Sequence, residues 1–222
     1  MKLAILIFGR INLAASFFYS ILATIDNEHD IDFFLSSDCP DKDDLNNFIN
    51  LYRPVSYINT KTEIDLYYDD FNKYNRGSVN LPNMISHFIN KKRVFELMEE
   101  HIKNNSVQYD CVMSLRTDLI FQNNFKFNFN NLIENTIYIP SGNDYGGIND
   151  QFAYGKIEPM KIYMYIIDNV LYLCSNDMPG LPPETPQDGM LILHPETLTI
   201  ANIYMNNLKI SRFDVNYFIT RH

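Results

Sequence analysis

The chain has 222 residues, 46% of them hydrophobic and 20% charged, and a formal net charge of −9 at pH 7. That length fits one large α/β domain, and the apolar fraction can build its core without disulfides. The acidic balance argues against a nucleic-acid backbone as partner, which needs clustered Lys and Arg. No run reaches the roughly 20 apolar residues of a membrane span.

In chain order, Leu3–Phe8 reads as a first strand closing in Gly9-Arg10. Its apolar run is too short, and too soon interrupted by Gly9, Arg10 and Asn12, for a signal peptide. Leu13, Phe17, Ile21 and Ile25 recur at helical spacing and predict a covering helix. Ile31–Leu35 is a second strand, Pro40-Asp41-Lys42-Asp43-Asp44 opens a short helix, and Pro54–Ile58 is a third strand. This alternation predicts a parallel sheet with right-handed crossovers. The polar, tyrosine-rich stretch Thr60–Arg76 reads as irregular, and Asp38–Asp44 as a solvated helix start without a functional role.

Asn80 is placed to cap a long helix with Pro82 in its first turn, whose buried face carries Met84, Ile85, Phe88, Phe95, Met98 and Ile102. Tyr109 to Leu119 follows as a buried strand running into Arg116-Thr117-Asp118. Ile133–Ile139 is a further strand and Gln151–Gly155 a short extended segment. Glu158–Leu173 is an amphipathic helix, Met178–Pro186 a loop, and Asp188–Leu193 and Pro195–Met205 short helices. Lys209–Ile219 is a terminal strand or hairpin. The three cysteines, Cys39, Cys111 and Cys174, are far apart and show no C-x-x-C, which fits a reducing compartment.

Arg116 and Asp118 stand where open α/β sheets bind ligands, at the end of a buried strand. An arginine and a carboxylate there suit an anionic ligand, a divalent cation or both, or else form a structural ion pair. Gly146-Gly147-Ile148-Asn149-Asp150-Gln151 combines glycines that allow close backbone approach with directional donors and acceptors for sugar hydroxyls. The alternative is an ordinary glycine turn before a strand. Gly9 and Arg10 close the first strand where a phosphate would lie. Asn83, Ser86 and His87 begin the long helix and can face the same cleft. His194 can join Asp118 around a metal ion, or merely precede the Pro195-Glu196 helix start.

Together, the Gly-Arg strand end, the Leu-Arg-Thr-Asp-Leu strand end, Gly-Gly-x-Asn-Asp-Gln-Phe-Ala-x-Gly and a late His-Pro-Glu-Thr-Leu helix form an ordered set. The order resembles small GT-A-type glycosyltransferase-like proteins of algal, bacterial and giant-virus surface-glycan pathways, from about Lys2 to Arg221. The resemblance implies a single α/β domain with a mixed, mostly parallel, Rossmann-like central sheet. Residues 1–118 would bind a UDP- or GDP-sugar and residues 119–222 a glycan or glycoprotein acceptor. Gly9, Arg10, Asn83, His87, Arg116, Asp118 and Gly147 are expected to meet the donor, and the resemblance makes Asp150, with its neighbour Gln151, the candidate for sugar binding or catalysis. Asp118 and His194 would hold Mn²⁺ or Mg²⁺. The family's usual Asp-x-Asp is Arg116-Thr117-Asp118 here, so metal binding is weakened or replaced by Arg116 acting on charge directly. The lost carboxylate also admits an inactive module that binds a nucleotide sugar or glycan. The expected location is cytoplasmic, the host cytoplasm for a viral chain.

Overall fold

A computed structural model describes the chain except residues 12–13, 76–78, 123–124, 177, 179–192 and 221–222, and the side chains of residues 14 and 15. The expected helix at Asp188–Leu193 and most of the Met178–Pro186 loop lie outside the described residues.

Seven strands form the main sheet: β1 (Lys2–Phe8), β2 (Asp30–Ser37), β3 (Ser56–Asn59), β4 (Cys111–Arg116), β6 (Thr136–Pro140), β7 (Phe152–Gly155) and β8 (Lys209–Phe213). Their order is β3-β2-β1-β4-β7-β6-β8. β1, β2, β3 and β4 are mutually parallel, β7 runs antiparallel between β4 and β6, and β8 pairs parallel with β6. The sheet is therefore mixed and mostly parallel, as the resemblance implied. A second sheet joins β5 (Leu119–Phe121) and β9 (Tyr217–Ile219).

The alternation of side chains along β1 explains why that strand is central. Leu3, Ile5 and Ile7 enter one core cluster, while Ala4, Leu6 and Phe8 enter the other. A strand covered on both faces reads as a continuous apolar run, and each large aliphatic buried there contributes roughly 1.5–3 kcal/mol. On the first face lie α1 (Ala14–Thr24) and α2 (Lys42–Tyr52), through Phe17, Ile21, Phe48 and Tyr52. On the other lie α4 (Leu81–Asn105), α5 (Ile157–Met164) and α7 (Pro195–Met205), through Val94, Phe95, Met98, Met160, Met164 and Ile203. A third cluster packs α3 (Asp65–Asn72) and α6 (Val170–Ser175) against α4.

Two caps follow the sequence closely. Asp41 Oδ1 accepts from the backbone N–H groups of Asp43 (2.8 Å) and Asp44 (3.1 Å) to start α2. Asn80 Oδ1 accepts from Asn83 N at 3.1 Å to start α4. Elsewhere the structure differs from expectation. Residues 65–72 of the stretch read as irregular form α3, anchored by buried Phe71. The single helix expected at Glu158–Leu173 breaks at Tyr165 into α5, a 3-10 turn (Ile166–Asn169) and α6. The terminal segment is not a hairpin, because β8 and β9 belong to different sheets. Among the described residues no helix is long and apolar enough to cross a membrane, and all three cysteines are free and buried.

Candidate functional site

Strand order reverses between β1 and β4, and the loops leaving their C-terminal ends diverge there to open a crevice. The turn after β1 needs Gly9, whose φ is +112°. Thr117 Oγ1 donates to the carbonyl of Arg10 at 2.5 Å, so the β1 and β4 ends are fastened together. A cleft of ≈ 980 Å³ lies over this junction. Arg10, Asp38, Asn59, Arg116 and Asp118 line it from the strand ends, and Asn83, Ser86 and His87 from the first turns of α4.

Behind these residues runs a polar column. Ser36 Oγ donates to Asn90 Oδ1 (2.7 Å), Asn90 Nδ2 donates to the Ser86 carbonyl (3.0 Å), and Ser86 Oγ donates to Asp38 Oδ2 (3.3 Å). Asp38 therefore belongs to the cleft wall and not to the solvated helix start in which the sequence placed it.

Arg116 and Asp118 form a two-pronged ion pair. Nε of Arg116 donates to Oδ1 at 3.0 Å, and its Nη2 to Oδ2 at 2.6 Å. The Asp118 carbonyl accepts from Thr220 N at 2.9 Å, which ties the C-terminal strand to the site. Each carboxylate oxygen accepts one of these bonds, so a metal ion at Asp118 would share the carboxylate with Arg116. Among the described residues Asp118 shares no group of three metal-ligating side chains with His194 or any other residue. The three that do come together, Asp26, Glu28 and His29, precede β2 at the opposite end of the sheet, roughly 25 Å along the strand. His194 instead places Nδ1 2.5 Å from Glu196 Oε2, and that carboxylate raises its pKa above the usual histidine value.

Asp150 lies behind His87, 4% exposed, with Oδ2 3.3 Å from His87 Nε2. Burial opposes its ionisation, but His87, then Lys91 and Arg116, outweigh that and hold the carboxyl below the usual carboxylate range. Burial likewise pulls His87 below the usual imidazole range.

The neighbours of Asp150 tie this segment to the end of β4 and to the C-terminal strand. Asn149 Nδ2 donates to the Gly142 carbonyl (2.9 Å) and to Tyr217 Oη (2.7 Å), and its Oδ1 accepts from Gln151 N (3.1 Å). Gln151 is 4% exposed, and its carbonyl accepts from Arg116 N at 3.3 Å. Gly147 sits against the start of α7, where an added Cβ would lie 2.2 Å from the Glu196 backbone carbon.

Of the residues singled out in the sequence, Arg10, Asn83, His87, Arg116 and Asp118 share one cleft, with Gly9 forming its floor turn. Asp150 joins that group through His87. Gly147, Gln151 and His194 do not line the cleft. The sequence reading missed Asn59, Thr60 and Thr220, which are ordinary polar loop residues until the fold gathers them. It also missed Lys91, whose position was legible: it lies on the seam of Met84, Phe88, Phe95 and Met98.

No protein-family model and no curated protein matches the sequence. The chain is similar in fold to solved sugar transferases. One is a Desulfovibrio desulfuricans G20 protein assigned as a nucleotide-diphospho-sugar transferase, 11% identical, with a TM-score of 0.46 over 96% of this chain and 79% of that one. Another is the galactosyltransferase LgtC with donor and acceptor sugar analogues, 10% identical, with a TM-score of 0.48 over 96% and 73%. A third is mouse xyloside xylosyltransferase 1, 10% identical, with a TM-score of 0.48 over 95% and 85%.

Proposed function

We propose that this chain is a glycosyltransferase that moves a hexose or pentose from a UDP- or GDP-sugar to a glycan or glycoprotein acceptor. The observation that carries this reading is the ≈ 980 Å³ cleft at the β1/β4 reversal, with Arg10 and Arg116 on its walls. Departure of a nucleoside diphosphate builds negative charge, and cations fixed in advance stabilise that charge without reorganising. Arg10 and Arg116 take that role, and Asp38, Asn59 and Asn83 offer hydrogen-bonding groups to the nucleoside. The half before residue 119 holds the nucleotide. The half after it brings Asp150 toward the donor sugar and completes the acceptor side.

With both oxygens of Asp118 engaged by Arg116, charge neutralisation rests on the arginines. A divalent ion at Asp118 would share the carboxylate with Arg116. The same ion pair favours a second reading, a module that binds nucleotide sugar without turning it over.

A thermal-shift series with UDP, GDP, dTDP, CMP and their sugar conjugates, each with and without Mn²⁺ or Mg²⁺, tests these readings. A ligand at 100 times its Kd adds about 2.7 kcal/mol of stability. A selective shift followed by release of nucleotide diphosphate in the presence of glycan acceptors supports transfer. A selective shift without turnover across those acceptors supports the binding module. Silence across the series removes both.

A further inference from the structure

Lys91 lies in the middle of α4 with 0% exposure, and its Nζ has no hydrogen-bond partner among the described residues. An ammonium withdrawn from water forfeits its hydration, and an apolar side chain of similar shape would often serve stability as well or better. The packing of Lys91 therefore points to a use for its charge. Nζ stands 3.5 Å from the centre of the Tyr163 ring, the attractive face of an aromatic for a cation. Tyr163 Oη in turn donates to the Asp150 carbonyl at 2.9 Å. One turn before Lys91, on the same side of α4, His87 contacts the Asp150 carboxylate.

Two residues of α4, at i and i+4, thus flank a segment that α5 holds through Tyr163. The other charged and titratable groups acting on this cluster are Arg116 at the end of β4, His194 and Glu196 at the start of α7, and Tyr217 on β9. Among them, the charge that acts on Lys91 is that of Asp150. Lys91 does not line the cleft, so it reaches a ligand only through its neighbours.

We propose that Lys91 is a positioning residue for Asp150: its ammonium, seated on Tyr163, keeps the carboxylate ionised and turned toward His87 and the cleft. The kinetic consequence rests on the transfer reading above, whereas the coupling of Lys91 to Asp150 and His87 does not. Burial brings Lys91 down to about 7, so the ammonium disappears as the pH rises through neutrality. Removing the Lys91 charge alone would raise the His87 midpoint, whereas loss of the Asp150 carboxylate from His87 lowers it, and Asp150 is the larger influence.

The experiment follows the histidine ring resonances of the full chain against pH in wild type, Lys91→Met and Lys91→Gln, with His87→Gln to assign the signal. Lys92→Met is the control, since Lys92 pairs with Asp168 outside this cluster. The expected result is a downward shift of the His87 midpoint in both Lys91 variants, as Asp150 turns away from His87, and none in the control. With a donor and acceptor in hand, turnover falls roughly ten- to a hundredfold while nucleotide Kd holds, and the alkaline limb near pH 7 disappears. An unmoved or raised His87 midpoint in folded Lys91 variants overturns the proposal, and Lys91→Gln decides if Lys91→Met does not fold. If wild type turns over no donor, the transfer reading fails, and the His87 midpoint still decides whether Lys91 acts on this pair.

Discussion

Both oxygens of Asp118 are held by Arg116, so the two residues act as one unit on the cleft wall. A partly exposed pair of this kind contributes about 0–1 kcal/mol to stability. Asp118→Ala is therefore expected to melt within about 1 kcal/mol of wild type while cutting turnover, because the guanidinium loses its aim. Arg116→Met should weaken nucleoside diphosphate binding about tenfold or more, about 1.4 kcal/mol, in a calorimetric titration. Binding of wild-type strength in Arg116→Met would remove this arginine from the donor site. Lys91 gives a stability prediction of its own. Its folded pKa of about 7 lies below the unfolded value near 10.4, so between these limits the unfolded chain binds more protons and stability rises with pH. Cys111 and Cys174, whose thiols burial pushes up, pull the other way above roughly pH 8.5. Comparing wild type with Lys91→Met between about pH 7 and 8.5 isolates the lysine, and the stability difference should move by roughly 2 kcal/mol in favour of wild type. Parallel curves would mean that Lys91 is not buried as an ionisable group.

At the scale of elements, the approach of the Gly147 loop to α7 sets how the late helix meets the sheet. Ile148 N donates to the Glu196 carbonyl at 3.2 Å, and Gly147 leaves no room for a side chain there. The obstacle is backbone, which cannot swing aside, so Gly147→Ala should destabilise by roughly 2–4 kcal/mol. An unchanged denaturant midpoint would show that α7 does not pack on this loop as described. The α4 cap and seam were legible because Asn80-Leu81-Pro82 and the recurring apolar residues agree on one helix. The α3 helix was not, since its tyrosines and aspartates alternate without an apolar stripe and only Phe71 is buried among its eight residues. The break at Tyr165 is hidden for a related reason: apolar residues continue through it, and only packing against α4 and α7 decides where the chain turns.

For the whole molecule, the C-terminal strand closes the site from a distance in sequence. β9 pairs with β5, and Tyr217 Oη accepts from the amide groups of Asn149 (2.7 Å) and Asn143 (3.0 Å). Tyr217→Phe leaves one N–H of the buried Asn149 amide without its acceptor and should cost about 1–3 kcal/mol in urea unfolding. A loss within error would mean that water replaces the phenol freely. This closure shows why an apparent terminal hairpin separates into two sheets. Strand propensity marks residues 209–219 as extended, but partner choice depends on edges that form elsewhere, at β6 and β5.

The sequence by itself determined the parallel half of the sheet, because each strand buried on both faces must be an unbroken apolar run and each covering helix must carry a stripe. It also marked Gly9, Arg10, Asn83, His87, Arg116, Asp118 and Asp150, since charge and glycine at element ends are local signals. Only the tertiary structure decided what these groups do to one another. Asp118 answers Arg116, Asp150 sits behind His87 over a buried lysine, and His194 turns to Glu196. Arg116 with Asp118 and His194 with Glu196 are neighbours in sequence, but the meeting of Asp150 with His87 brings together α4 and the segment before β7. The covalent order of the chain places no constraint on that meeting until the sheet has closed.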